Sequence, residues 1–144
     1  MTAKQYLQSY QRMERRYNAV VEQIKAIECE MISIGSPGFD ERVQSSPKKD
    51  PIGEIVCNLE REKGNLGLKM AEYRAKMILI KRQISEIDSV NSDYYIILLF
   101  RYILYKDWKF ICDNLHLSRA QANVIHGRAL QEFDSKFGKI YEDF

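Results

Sequence analysis

Residues 3–34 read AKQYLQSYQRMERRYNAVVEQIKAIECEMISI. One frame of alternating three- and four-residue steps runs Ala3, Tyr6, Tyr10, Met13, Tyr17, Val20, Ile24, Ile27, Met31, Ile34, and every position in it is apolar or aromatic. Lys4, Arg12, Arg15, Arg16, Glu22, Lys25 and Glu30 lie between. A period near 3.5 held for over four heptads predicts one long helix that buries a narrow stripe. At 1.5 Å per residue it would span roughly 48 Å.

A second frame of the same kind runs Val56, Leu59, Lys63, Leu66, Met70, Tyr73, Met77, Ile80, Ile84, Ile87. Only Lys63 breaks it. A single polar residue at such a position costs stability and can fix register. Gly64 and Gly67 stand beside it, and each costs about 1 kcal/mol relative to Ala in a helix. Between the frames lies GSPGFDERVQSSPKKDP, residues 35–51, which holds all three prolines of the chain. Neither helix can continue through it. Two arrangements satisfy both stripes: an antiparallel helical hairpin joined by this linker, or a parallel oligomeric coiled coil. They combine if hairpins dimerise through the heptad helices. The stripes carry structure, not chemistry.

Ser89, Asn91, Ser92 and Asp93 interrupt the second helix, with Asp93 a candidate N-cap for the next segment. Residues 94–105, YYIILLFRYILY, are apolar nearly all round. Their β-branched and aromatic content would suit a buried strand, but their length and cap favour a buried helix. Twelve residues with Arg101 among them fall short of the ~20 a membrane span needs.

Asp107 can cap a helix over residues 108–115, with Trp108, Ile111, Cys112 and Leu115 turned inward. His116 and Leu117 form a short turn. Ser118 is a good N-cap for a further helix from Arg119 to about Phe137. Ala122, Ile125, His126, Ala129 and Phe133 share its inner face. Two helices joined by a tight turn, the second opened by Ser, form the helix-turn-helix pattern. The opposite face carries Ala120, Val124, Gly127 and Gln131, flanked by Gln121, Arg128 and Asn123, with Arg119 in the exposed first turn. These residue types suit a DNA groove. Arg bonds guanine bidentately, Gln and Asn read adenine, and Val or Ala touches a thymine methyl. Arg101, Lys106 and Lys109 lie on the preceding elements, where they can hold phosphates. Beyond the motif, Phe133, Phe137, Ile140 and Phe144 recur at helical spacing and are expected to extend the last helix.

The net charge is only +2, from 22 basic and 20 acidic residues. That excludes a histone-like binder but not a local basic patch. From Arg101 to Gln131 the basic residues are 101, 106, 109, 119 and 128, against acidic 107 and 113. This local excess is modest. Three cysteines without a CxxC pair, and two histidines, give neither a disulfide framework nor a metal site. No nucleophile–base pair stands out, so a non-enzyme without cofactor is expected. Cys29 and Cys57 fall on outer heptad positions. The opening MTAKQYLQSY lacks the apolar core of a signal peptide, which points to the cytoplasm.

The stretch RYILYKDWKFICDNLHLSRAQANVIHGRAL, residues 101–130, resembles the promoter-reading C-terminal module of sigma factors. It is more closely similar to small phage and prophage proteins of the RinA/ArpU type, regulators of late-gene transcription. AKQYL at the start and SPGFDERVQSSP in the linker resemble the same phage family. The periodicities and caps together predict an all-α chain, with which the resemblance agrees. Residues 1–90 would form the helical hairpin and residues 91–144 the sigma-like helix-turn-helix domain. It implies Trp108, Ile111 and Leu115 as core, Ser118 as cap, and Ile125, His126, Ala129 and Leu130 as the packing signature of the recognition helix. Its function would be sequence-specific binding of double-stranded DNA in the host bacterial cytoplasm, with contact to RNA polymerase. Read from the helical faces, and not from the resemblance, the candidate DNA-binding residues are Arg119, Ala120, Gln121, Asn123, Val124, Gly127, Arg128, Lys106 and Lys109. Two departures weaken expected affinity: a small Ala122 where the family has a larger residue, and less positive charge near Gly127. The alternative is a protein-interaction adaptor with little DNA affinity of its own.

Overall fold

The computed structural model describes residues 1–34 and 51–143, and it is all-α. Five α-helices, α1 (Ala3–Ile34), α2 (Pro51–Ile87), α3 (Ser92–Leu98), α4 (Trp108–Leu115) and α5 (Arg119–Phe137), are joined by a π-helical turn at Leu99–Ile103 and closed by a 3-10 turn at Gly138–Asp143. No strand occurs among the described residues. The linker expected at 35–51 lies outside them except for Pro51, which opens α2. Proline suits a first helical turn because its missing N–H has no partner there. Phe144 also lies outside them. None of the described helices is long and apolar enough to cross a membrane.

Both stripes face inward. Every position of the two heptad frames within α1 and α2 is buried or half-buried, Lys63 included. The described residues form two compact units, Met1–Glu14 with Ala75–Phe144, and Arg15–Arg74. This division cuts across both long helices. Periodicity in sequence marks where a helix runs, not where along it other elements pack.

In the unit Arg15–Arg74 the two helix segments run antiparallel. Arg74 Nη1 donates to Tyr17 Oη at 3.2 Å. Eleven residues further along α1 and eleven back along α2, Lys63 Nζ meets Glu28 Oε1 at 2.9 Å. The polar residue in the second stripe therefore has an ionic partner on the facing helix. Both side chains are over 40% exposed, so solvent keeps the pair's contribution small. The deeply buried stripe residues here are Val20, Ile27 and Leu59.

The other unit holds most of the core. Tyr6 and Leu7 of α1, Ile80, Ile84 and Ile87 of α2, Ile97 and Leu98 of α3, Ile111 of α4 and Ala122, Ala129 and Phe133 of α5 are all fully buried. The Tyr6 ring stacks on Tyr141 at 4.6 Å and lies 5.9 Å from Phe133, which in turn meets Phe137 at 4.9 Å. The Tyr6 hydroxyl donates to Gln83 Oε1 at 2.7 Å, which satisfies one end of a buried amide. Each fully buried aliphatic or aromatic side chain contributes about 1.5–3 kcal/mol through removal from water.

Three local expectations are corrected. The N-cap of α3 is Asn91, whose Oδ1 accepts from Asp93 N–H at 2.8 Å; Asp93 sits in the first turn instead. The 94–105 run is helical only through Ile103 and is not buried all round: Leu104 and Tyr105 are exposed. The cause is the π turn, where Leu104 N–H reaches Leu99 C=O at 3.0 Å and Lys106 N–H reaches Phe100 C=O at 2.8 Å. This wider ring rotates the last residues outward, and Tyr105 ends it at φ 56°. A non-glycine residue there costs about 1–2 kcal/mol. Third, α5 ends at Phe137, and the tighter 3-10 turn brings Tyr141 into the core while leaving Ile140 38% exposed.

Candidate nucleic-acid interface

Two side-chain caps fix the path from α4 to α5. Asp107 Oδ1 accepts from Phe110 N–H at 2.8 Å and opens α4. His116 closes it in the left-handed conformation at φ 56°, and Leu117 N–H returns to Cys112 C=O at 3.0 Å. Such a six-to-one bond satisfies an end carbonyl and turns the chain sharply. Ser118 then opens α5 with a reciprocal capping box. Its Oγ accepts from Gln121 N–H at 3.2 Å, and Gln121 Oε1 accepts from Ser118 N–H at 3.0 Å. A capping box satisfies two otherwise orphaned donors and sets the first turn of the helix. The inner positions predicted for α4 and α5 are buried or half-buried as a set, with Ala122 fully buried against its neighbours.

His126 sits inside this junction. Its Nε2 lies 2.8 Å from Tyr102 Oη, and the Trp108 ring meets it edge-on at 5.0 Å. Burial, then the charges of Lys4, Arg101 and Arg119, push its pKa down to about 4. Burial likewise pushes Tyr102 up to about 12. At neutral pH the bond therefore joins two neutral groups. His126 is a packing residue.

The outward face of α5 is open. Ala120, Asn123, Val124, Gly127, Arg128 and Gln131 are all exposed, Val124 at 52%. A side chain added at Gly127 would meet nothing within 4 Å, so the fold itself does not require glycine there. A shallow groove of about 370 Å³ runs beside this face, lined by Leu117, Ala120, Gln121, Val124, Ile125 and Arg128. Its floor is apolar and its rim carries one guanidinium.

The basic residues do not all share that face. Arg119, predicted to read bases from the first turn, lies over the Trp108 ring, its guanidinium carbon 4.4 Å from the centroid. Arg101 approaches the same ring at 5.1 Å and donates from Nη1 to the Lys106 carbonyl at 3.3 Å. Lys106 Nζ lies 4.9 Å from the Phe110 centroid, and Phe110 meets Phe100 edge-on at 5.5 Å. Lys109 is exposed on α4. Thus Ala120, Gln121, Val124 and Arg128 come together at the groove. Arg101 and Arg119 come together on Trp108, and Lys106 lies on Phe110. Gln121 is partly committed, because its carbonyl oxygen serves the cap.

Among the described residues no carboxylate lies within ion-pair distance of Arg101, Lys106, Lys109, Arg119 or Arg128. Among the described residues Arg101, Lys106 and Arg119 meet rings and a carbonyl rather than carboxylates, which suits an anionic partner. Trp108 as a platform for two guanidiniums was not legible in the sequence, where it reads as core. Its partners lie seven residues before and eleven after it, on different elements. No protein-family model, curated protein or solved structure matches this chain.

Proposed function

We propose that the protein binds double-stranded DNA in a sequence-specific way, with α5 in the major groove, as a transcription regulator of the phage and prophage late-gene type. One observation carries this reading. A helix opened by a capping box presents an uncovered face of Ala120, Asn123, Val124, Gly127 and Arg128, while unpaired cations gather at its start and on α4. Arg128 and Asn123 would read base edges, and Val124 and Ala120 would meet thymine methyls. Arg101, Arg119, Lys106 and Lys109 would hold phosphates. In this reading Arg119 contributes affinity more than base choice, because its planar group already stacks on Trp108. The antiparallel pairing of α1 with α2 would form a hairpin that serves as a dimer contact or as a contact to RNA polymerase in the bacterial cytoplasm.

The apolar floor of the groove, with Val124 half exposed, favours a second reading: an adaptor that docks a protein on the same helix. Salt separates the two. Binding through Z phosphates gives a log–log salt slope of about −0.9Z. Fluorescence anisotropy on a duplex selected from a random pool tests this, with Arg128→Ala expected to weaken binding by ~1–3 kcal/mol and to relax base preference at one position. Absence of any salt-dependent duplex binding would leave the adaptor reading.

A further inference from the structure

We propose that the cavity between the first turns of α1 and the π-helical end of α3 seats a phosphate group of the DNA backbone, so that α1 takes part in binding. This rests on the DNA reading above and extends it to a part of the chain that the helix-turn-helix does not include. The cavity is about 200 Å³ and is lined by Gln8, Gln11, Arg101, Tyr102 and Tyr105. Every lining side chain carries a hydrogen-bond donor. The two tyrosine hydroxyls are committed, Tyr102 to His126 at 2.8 Å and Tyr105 to Glu14 at 2.5 Å. The amides of Gln8 and Gln11 have no hydrogen-bond partner among the described residues, and Arg101 has no carboxylate partner there. The Glu14 carboxylate at the cavity's edge is taken up by the Tyr105 hydroxyl, and the two amides and the guanidinium remain as neutral and cationic donors, which suits the several acceptor oxygens of a phosphate.

Position argues for the DNA backbone as its source. Arg101 and Arg119 lie 5.1 and 4.4 Å from one indole centroid, and therefore within 9.5 Å of each other. Arg101 thus links the cavity to the first residue of α5. The two guanidiniums therefore lead from the start of α5 across Trp108 to the cavity beside α1. A strand whose bases face α5 would run its phosphates along this path.

The test pairs Gln8→Glu/Gln11→Glu with a charge-matched control at exposed α1 positions, Asn18→Glu/Gln23→Glu. The cavity double variant should bind the selected duplex roughly tenfold more weakly with base preference unchanged, and the control should stay within about twofold. Gln8→Lys should strengthen binding and reads the same site in a variant that adds no negative charge. In a second arm inorganic phosphate is titrated while the amide signals of residues 101–105 are followed by NMR. Shifts in the wild type that vanish in Q8E/Q11E support the seat. Equal duplex binding by the double variant and its control, with no gain from Q8K, overturns the proposal. Phosphate-dependent shifts without any duplex binding overturn the DNA reading and assign the seat to free phosphate.

Discussion

Replacing Gly127 with alanine separates what the fold needs at this position from what a partner needs. Gly127 lies in the interior of α5, is exposed, and a Cβ there would touch nothing within 4 Å. No steric penalty opposes the change, so helix propensity decides its effect on stability. Alanine is favoured over glycine by about 1 kcal/mol in a helix interior. In a chain of 144 residues that raises the melting temperature by roughly 3–4 °C. The same methyl group points from the face proposed to enter the groove, between Asn123 and Gln131 along α5. If backbone approaches a base edge or sugar there, the methyl must be accommodated at a cost of ~1–2 kcal/mol, roughly five- to thirtyfold in dissociation constant. Thermal unfolding by circular dichroism and duplex anisotropy on one preparation give both numbers. A more stable variant that binds less well is the expected pair. A more stable variant with unaltered binding would refute close approach at Gly127, and a less stable one would refute the open, unstrained helix.

Phe133→Ala removes the ring that Tyr6, Phe137 and Tyr141 pack on, and should cost ~3–5 kcal/mol by urea unfolding; a loss under 1 kcal/mol would show that this core does not form. Ser118→Ala breaks the capping box and should cost about 1 kcal/mol, with faster amide exchange at Gln121 and no change elsewhere in α5. His126 titrates near 4 in the fold against 6.5 when unperturbed. The unfolded chain therefore binds more protons between these values, and this part of stability is full above 6.5 and falls as pH drops toward 4. The slope is at most about 1.4 kcal/mol per pH unit. His126→Gln should remove it, so the stability difference between variant and wild type should change across pH 4–6.5 and be flat above; parallel pH profiles would contradict a buried neutral imidazole.

The parts readable from sequence are those where one chain segment decides its own structure. The heptad frames of α1 and α2 need only a repeated spacing, and the caps at Asp107 and Ser118 need only one side chain three residues from its donor. What stayed hidden depends on crowding or on distant neighbours. Asn91 and Asp93 are both good caps, and their side chains do not say which one is used. The π turn at Leu99–Ile103 widens a helix whose twelve apolar residues look uniform. At the 3-10 turn Tyr141 rather than Ile140 is buried, and it packs on Tyr6, which stands at the other end of the chain. At the candidate interface the exposed face of α5 followed from helical spacing. The turning of Arg119 and Arg101 onto Trp108 did not, and neither did the nearness of Gln8 and Gln11 to Arg101. Those contacts depend on tertiary packing.

DNA reading by α5 is tested most directly by selecting duplexes from a random pool with the whole protein. Anisotropy on the enriched site across a salt series then compares wild type with Arg128→Ala. The expected result is an enriched sequence, a negative log–log salt slope, and a variant that binds more weakly with relaxed preference at one base pair. An unenriched pool, or equal binding by wild type and Arg128→Ala with the fold intact, would contradict DNA reading by this helix.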